Sequence, residues 1–301
     1  MQNKIIKIAL VGQPNVGKSM LINSISNARL KVGNFSGVTV SKEQVFFDYK
    51  NFHIEIVDLP GAYSLNDYTI EEKVTKDFLN NEKYDIILNV LDSTNLQRNL
   101  LLTAELLTLD KKMIIALNMS DEAEKESILI DEIQLSKILG KPCIKKKKKK
   151  KNGITKLLDE ILLKFQSQKV PSKFFFSNVI EEEIENISRV LEENKYETTE
   201  TYRQISLGLL KENKNIYKQF HDEPIWIKIQ PILTEAFEHL FIHFNSKNIK
   251  DIFNEERFAF AKGAVIETVK QKNTNTTTLT ERFDAILMHK FFGLPIFLFF
   301  M

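Results

Sequence analysis

One cysteine, Cys143, is all that a chain of 301 residues carries, so neither an internal disulfide nor a thiolate metal cluster can be assembled from it. That agrees with a reducing, cytosolic setting, in which the thiol reads as a small buried hydrophobe. Glycine is scarce too: ten residues, where roughly twenty are usual for this length. Five of the ten, Gly12, Gly17, Gly33, Gly37 and Gly61, fall within the first 61 residues, which assigns them a local task. Charge of one sign is also missing, with 42 basic against 40 acidic residues. Seven of the basic residues are the consecutive lysines 145–151, and without them the net charge of +2 turns negative. A basic surface with interleaved aromatics is therefore absent, and nucleic acid is excluded as a partner. The apolar run at 5–11 is short, is broken by Lys7 and leads into a glycine loop, so it reads as a strand and not as a secretory signal. Residues 291–301 (FFGLPIFLFFM) are uncharged, yet a membrane span needs about twenty residues. They are a buried C-terminal segment or the first half of a membrane helix, and five phenylalanines without polar alternation favour the second.

What is present is an ordinary globular composition, 43% apolar and 27% charged, with material for about two domains. Strand-like runs at 5–11, 44–49, 53–57, 86–91 and 113–118 alternate with helical patterns near 18–26, 70–79, 97–109, 130–139 and 154–165. This predicts an α/β domain with a mostly parallel sheet over 1–168. Runs two and three, separated by Lys50 and Asn51, predict a hairpin that adds an antiparallel edge strand. After a break containing Pro171, residues 174–272 read as an all-helical bundle. The Asn/Thr-rich stretch 273–281 reads as a linker, and 282–301 as the start of a truncated membrane domain.

Three motifs carry chemistry. Gly12-Gln13-Pro14-Asn15-Val16-Gly17-Lys18-Ser19 matches G-x-x-x-x-G-K-[ST] between a strand and a helix, the context a phosphate loop requires. Its backbone N–H groups curl around phosphate oxygens, Lys18 reaches the β and γ phosphates, and the Ser19 hydroxyl ligates Mg²⁺. Asp58-Leu59-Pro60-Gly61 ends the third strand, where Asp58 would hold Mg²⁺ through water and the Gly61 N–H would sense the γ-phosphate. Asn118-Met119-Ser120-Asp121 ends the fifth strand. There Asp121 can accept both N1–H and the exocyclic N2–H₂ of guanine, a donor pair adenine does not present, while Asn118 braces the loops and Met119 covers the base face. The nucleotide pair implied is GTP/GDP.

These motifs, together with the segment Gly33-Asn34-Phe35-Ser36-Gly37-Val38-Thr39-Val40 and Asp58-Leu59-Pro60-Gly61-Ala62-Tyr63-Ser64, resemble the cytosolic G domain of the bacterial ferrous iron transporter FeoB family. The phosphate loop alone would fit any Era-like GTPase. The resemblance extends through a helical second domain, which in that family is a nucleotide-dissociation-inhibitor-like bundle, to Leu294-Pro295-Ile296-Phe297, similar to the entry of a first membrane helix. It implies that Thr39, flanked by Val38, reaches Mg²⁺ and the γ-phosphate from switch I, with Gly33 and Gly37 as flexible joints. It also implies that Asn15 helps to hold K⁺ between the phosphates, where an arginine finger would otherwise stand. Ala62 follows Gly61, so no glutamine orients the attacking water there, and slow, cation-assisted hydrolysis is expected.

His239 and His243 have a metal-capable i, i+4 spacing. They fall opposite the apolar stripe Leu233, Phe237, Leu240, Phe241 and Phe244, which makes them a solvated face; residues 181–183 read likewise as an acidic helix face. Where the family carries a Ser-Ala-like guanine loop, this chain has Ile144 followed by the seven lysines, whose mutual repulsion resists a packed loop. The reading is a GTP-binding and GTP-hydrolysing regulatory portion of a ferrous iron transporter at the cytoplasmic face of a bacterial inner membrane. Its partners would be guanine nucleotide, a membrane domain and, only through that domain, Fe²⁺; self-association stays open. The alternatives are a soluble Era-like GTPase of ribosome or tRNA maturation, and a degenerate, non-hydrolysing nucleotide-binding fragment.

Overall fold

The structure, a computed structural model, describes residues 4–25, 29–35, 38–66, 68–146, 152–168, 173–198 and 200–271. Strand β1 (Lys4–Gly12) runs parallel between β4 (Phe52–Asp58) and β5 (Ile86–Asp92), and β6 (Met113–Asn118) and β8 (Cys143–Lys145) extend the sheet in parallel beyond β5. On the other side β3 (Ser41–Tyr49) pairs antiparallel with β4, and β2 (Arg29–Asn34) antiparallel with β3. The hairpin at Lys50 forms, with a left-handed φ of 54° there, but β3 is not the edge. Strand β2 lies outside it, unannounced by the sequence because only Leu30 and Val32 alternate and both are exposed.

The alternating side chains of the central strands feed two cores. Ile6, Ile8 and Leu10 pack with Leu21 and Ile22 of α1 (Lys18–Asn23) and with Leu157, Leu158 and Ile161 of α6 (Asn152–Gln166). On the opposite face Ala9 and Val11 pack with α2 (Ile70–Asn81), α3 (Leu96–Leu107) and α5 (Glu132–Leu139). This second core does not stop at the sheet domain. It continues through Phe174 and Phe176 into α7 (Asn178–Glu193), α8 (Tyr202–Leu210), α9 (Lys214–His221), α10 (Trp226–His243) and α11 (Ile249–Thr268). The bundle is capped by polar residues where its helices begin: Thr201 and Gln204 form a reciprocal capping box on α8, and Asn213 and Asn248 cap α9 and α11. Helix α11 ends in β9 (Val269–Gln271), which returns to pair antiparallel with β7 (Ile128–Ile130) beyond α4 (Ser120–Lys125).

The proposed linker and membrane start at 273–301 lie outside the described residues. Among the described residues no helix is long and apolar enough to cross a membrane. Cys143 is buried as expected, and burial pushes its thiol up to about 12.

Candidate nucleotide site

Parallel strands deliver their carboxyl ends to one edge of the sheet, and the three motifs meet there. Leu10 pairs with Asp58 and Asp92 with Asn118, which sets the phosphate loop and the two flanking loops side by side. The loop after β1 turns through Asn15 (φ 66°) and Gly17 (φ 84°) into α1. A Cβ on Gly17 would lie 2.3 Å from Asn118 Nδ2, so the position tolerates glycine alone. Asn118, itself buried, donates from Nδ2 to the Val16 carbonyl at 2.9 Å, tying the third motif to the first. Met119 begins α4 in a left-handed conformation (φ 56°), and Asp121 stands half-buried in the first turn of that helix.

The second motif leans on the first as closely. Leu59 N–H donates to the Leu10 carbonyl at 3.0 Å and Ala62 N–H to the Gly12 carbonyl at 3.3 Å, while Thr75 holds the Pro60 carbonyl. A Cβ on Gly61 would lie 2.9 Å from the backbone of Pro14. Lys18 Nζ sits 3.5 Å from the Gly12 carbonyl; burial lowers its pKa, against the attraction of Asp58. Burial pushes the Asp58 carboxyl up to about 6, with Lys18 opposing and Glu43 adding to the shift. Asp58 Oδ1 is buried without a hydrogen-bond partner. An orphaned carboxylate oxygen beside a phosphate loop fits a hydrated divalent cation.

Ser19 and Asn15 are exposed at the mouth of the loop. Thr39 is exposed in the turn between β2 and β3, which is closed by Phe35 N–H on the Val40 carbonyl at 3.0 Å; among the described residues it makes no hydrogen bond to the phosphate loop. Gly37 lies outside the described residues, and Gly33 pairs within β2 with open space around it. Lys145 and Lys146 are packed, not repelled outward. Lys145 completes β8, and Lys146 is buried, its N–H on the Leu117 carbonyl at 2.8 Å and its Nζ 3.3 Å from the Met20 carbonyl. Residues 147–151 lie outside the described residues.

Sequence reasoning named Gln13 for its backbone in the phosphate loop but missed what its side chain and Arg98 do behind the loops. Gln13 is buried and spends its amide on the Arg98 carbonyl at 2.7 Å, and the Arg98 guanidinium lies 4.6 Å over the Tyr63 ring. The acidic helix face at 181–183 is also less solvated than its pattern suggests. Glu181 pairs with Arg203, and buried Glu183 accepts His239 Nδ1 at 2.6 Å. Among the described residues no group of three or more His, Cys, Asp or Glu could hold a metal ion.

A parallel sheet with a phosphate loop, an aspartate on the next strand and an Asn-x-x-Asp loop two strands further defines the class, a P-loop GTPase fold, here joined to a helical domain. The family described as "Ferrous iron transport protein B" matches residues 6–161, and the "FeoB cytosolic helical domain" matches residues 176–270. The chain belongs to the FeoB family. It is 41% identical over 298 residues to the Fe(2+) transporter FeoB of Campylobacter jejuni, covering 99% of this chain and 37% of that one, so it spans just over a third of that relative's length. A GDP-bound mutant of S. thermophilus NFeoB superposes with a TM-score of 0.77 at 29% identity, covering 88% of this chain and 100% of that one. The T. maritima FeoB cytosolic domain in a GDP form gives 0.74 at 27%, covering 90% and 100%. Membership replaces the alternative of an Era-like GTPase of ribosome or tRNA maturation.

Proposed function

We propose that this chain binds GTP and GDP, hydrolyses GTP slowly, and through that cycle regulates a ferrous iron transporter from the cytoplasmic face of a bacterial inner membrane. The observation that carries the reading is the Asn118 Nδ2 bond to the Val16 carbonyl, because it holds the loop bearing Asp121 against the phosphate loop so that one nucleotide spans both. In this reading the backbone of Gly12, Gln13, Pro14, Asn15, Val16 and Gly17 cradles the phosphates, Lys18 pairs with the β and γ oxygens, and Asp121 accepts the guanine N–H groups. Ser19, Thr39 and, through water, Asp58 would hold Mg²⁺, which when bound neutralises charge on the phosphates. Thr39 would join them only as switch I closes. Asn15 offers a neutral amide oxygen of the kind that suits K⁺, and Gly61 its N–H to the γ-phosphate. Iron would pass through a membrane domain that this chain controls, with 273–281 as the linker and 282–301 as its start.

Titration with fluorescent GDP, competed by unlabelled GDP or ADP, tests the site. Displacement by GDP and not by ADP is expected. Absence of guanine binding, both in this chain and in one with a Ser-Ala loop replacing residues 147–151, would leave the degenerate-fragment reading in its place. If Asn15 holds the cation, GTP turns over faster in K⁺ than in Na⁺; equal rates remove that assignment.

A further inference from the structure

The loop after Gly61 is held by two buried carboxylates of different origin. Glu72, in the first turn of α2, accepts Ser64 N–H at 3.0 Å, the Ser64 hydroxyl at 3.1 Å and Tyr68 N–H at 3.2 Å. This is a local clasp between a loop and the helix it enters. Glu105, near the far end of α3, accepts Leu65 N–H on Oε2 at 2.6 Å. Its other oxygen, Oε1, pairs with Nη1 of Arg257 from α11 of the helical domain. Glu105 is 7% exposed and the Arg257 side chain 12%, so the carboxylate has little water to stand in for either partner. Arg257 is itself aimed by the Phe253 carbonyl, which accepts its Nε–H at 3.2 Å, and by Asn254.

We infer that Glu105 is a positioning residue for the loop after Gly61 and that Arg257 sets how firmly it holds, so that the helical domain biases the γ-phosphate sensor through one shared carboxylate. The inference rests on reading this site as a GTPase site. A buried carboxylate that accepts a single N–H, as Glu105 does from Leu65, depends on its cation to stay ionised. Without Arg257, Glu105 takes a proton or withdraws toward water, and in either case it becomes a poorer acceptor for Leu65 N–H. Three residues upstream Ala62 N–H is bonded to the Gly12 carbonyl, so the Leu65 bond adds to the Glu72 clasp in setting where the stretch after Gly61 lies. Linkage makes the coupling reciprocal: a nucleotide that draws Gly61 away from Pro14 must weaken the hold of Glu105 on α11 by the same free energy.

The two clasps supply their own control. Amide-resolved hydrogen exchange on the full chain compares the unsubstituted protein with Arg257→Met, Arg257→Lys and Glu105→Gln, the last retaining an acceptor oxygen without the charge. In Arg257→Met the Leu65 amide is expected to exchange about ten-fold faster or more, while the Ser64 and Tyr68 amides held by Glu72 stay within about two-fold. Arg257→Lys recovers part of the protection, and Glu105→Gln falls between. Equal acceleration of all three amides, meaning general loosening, or no acceleration at Leu65 overturns the inference. Single-turnover GTP hydrolysis is expected to fall in Arg257→Met with GDP affinity kept, since Leu65 lies away from the base loop; equal loss of both overturns it as well. If the unsubstituted chain binds no guanine nucleotide, the proposed function fails while the exchange comparison still decides whether Glu105 is the link.

Discussion

At Asp58, burial and charge work against each other. The carboxyl is pushed up to about 6 because it is withdrawn from water, and its Oδ1 has no donor to offset that. A site poised for a cation costs stability while the cation is away, so Asp58→Asn is expected to stabilise the nucleotide-free protein by about 1–3 kcal/mol. If Asp58 holds Mg²⁺ as proposed, the same substitution is expected to remove a Mg²⁺-dependent tightening of GTP. Thermal denaturation and nucleotide titration with and without Mg²⁺ measure the two effects, and a destabilised Asp58→Asn protein would contradict the argument. Gly61→Ala brings a methyl group to 2.9 Å from the Pro14 backbone, which cannot yield as a side-chain end can. Hydrolysis should drop by about ten-fold or more while GDP affinity changes little, because in the proposed arrangement Gly61 faces the γ-phosphate. The meeting of Asp58, Gly61, Lys18 and Asn118 at one sheet edge was legible in the sequence because each motif follows a strand end. Gln13 with Arg98, 85 residues apart, and Glu105 with Arg257 were not, since no periodicity records which distant side chains share a buried partner.

The helices were readable from their periods, but what a polar face touches was not. On α10 the turn geometry correctly separates His239 from Leu233 and Leu240, and that opposite face then reaches α7, where Glu183 is buried. His239 is held above its ordinary value of 6.5, first by the hydrogen bond to Glu183 and then by the charges of Glu183 and Glu182 against a desolvation penalty. A raised histidine pKa means that the folded state binds the proton more tightly than the unfolded one. The contribution is therefore complete below about pH 6.5 and is lost as pH rises through the elevated value. Melting temperatures followed from pH 6 to about 9 should fall faster in the unsubstituted chain than in His239→Gln; parallel curves would show that the α7–α10 contact does not use the charge. The first two lysines of the tract, the ones described, show the same step from pattern to packing. Composition predicts repulsion, yet Lys146 caps the Met20 carbonyl of α1 from the end of β8. Lys146→Met should weaken GDP binding by about ten-fold or more, the equivalent of one charge-assisted bond, while replacing only 147–151 with a Ser-Ala loop should strengthen it.

Composition divides the molecule into a sheet domain and a helical domain, but neither the core nor the pairing of β9 with β7 follows that division. Leu102 and Leu106 of α3, on the sheet domain, and Ile180, Leu209 and Phe253, in the bundle, belong to one continuous buried cluster. Three further ties cross the same boundary. Strand β9 pairs with β7, Gln204 donates to the Leu109 carbonyl at 3.3 Å, and Arg257 meets Glu105. Two bodies that share a core have no independent unfolded forms to visit, because melting either one exposes apolar surface on the other. Differential scanning calorimetry of the chain is therefore expected to show one transition. A ligand that binds only the folded sheet domain must then raise the melting point of the whole, by an amount set by its concentration over its Kd. GDP at about a hundred times its Kd corresponds to about 2.7 kcal/mol. That shift should be read equally by Trp226 fluorescence, which reports on α10 in the helical domain, and by the calorimetric peak. Two peaks, with only the first moved by GDP while the Trp226 signal stays still, would show that the helical domain folds apart from the nucleotide, and that the continuous core does not bind the two into one cooperative unit.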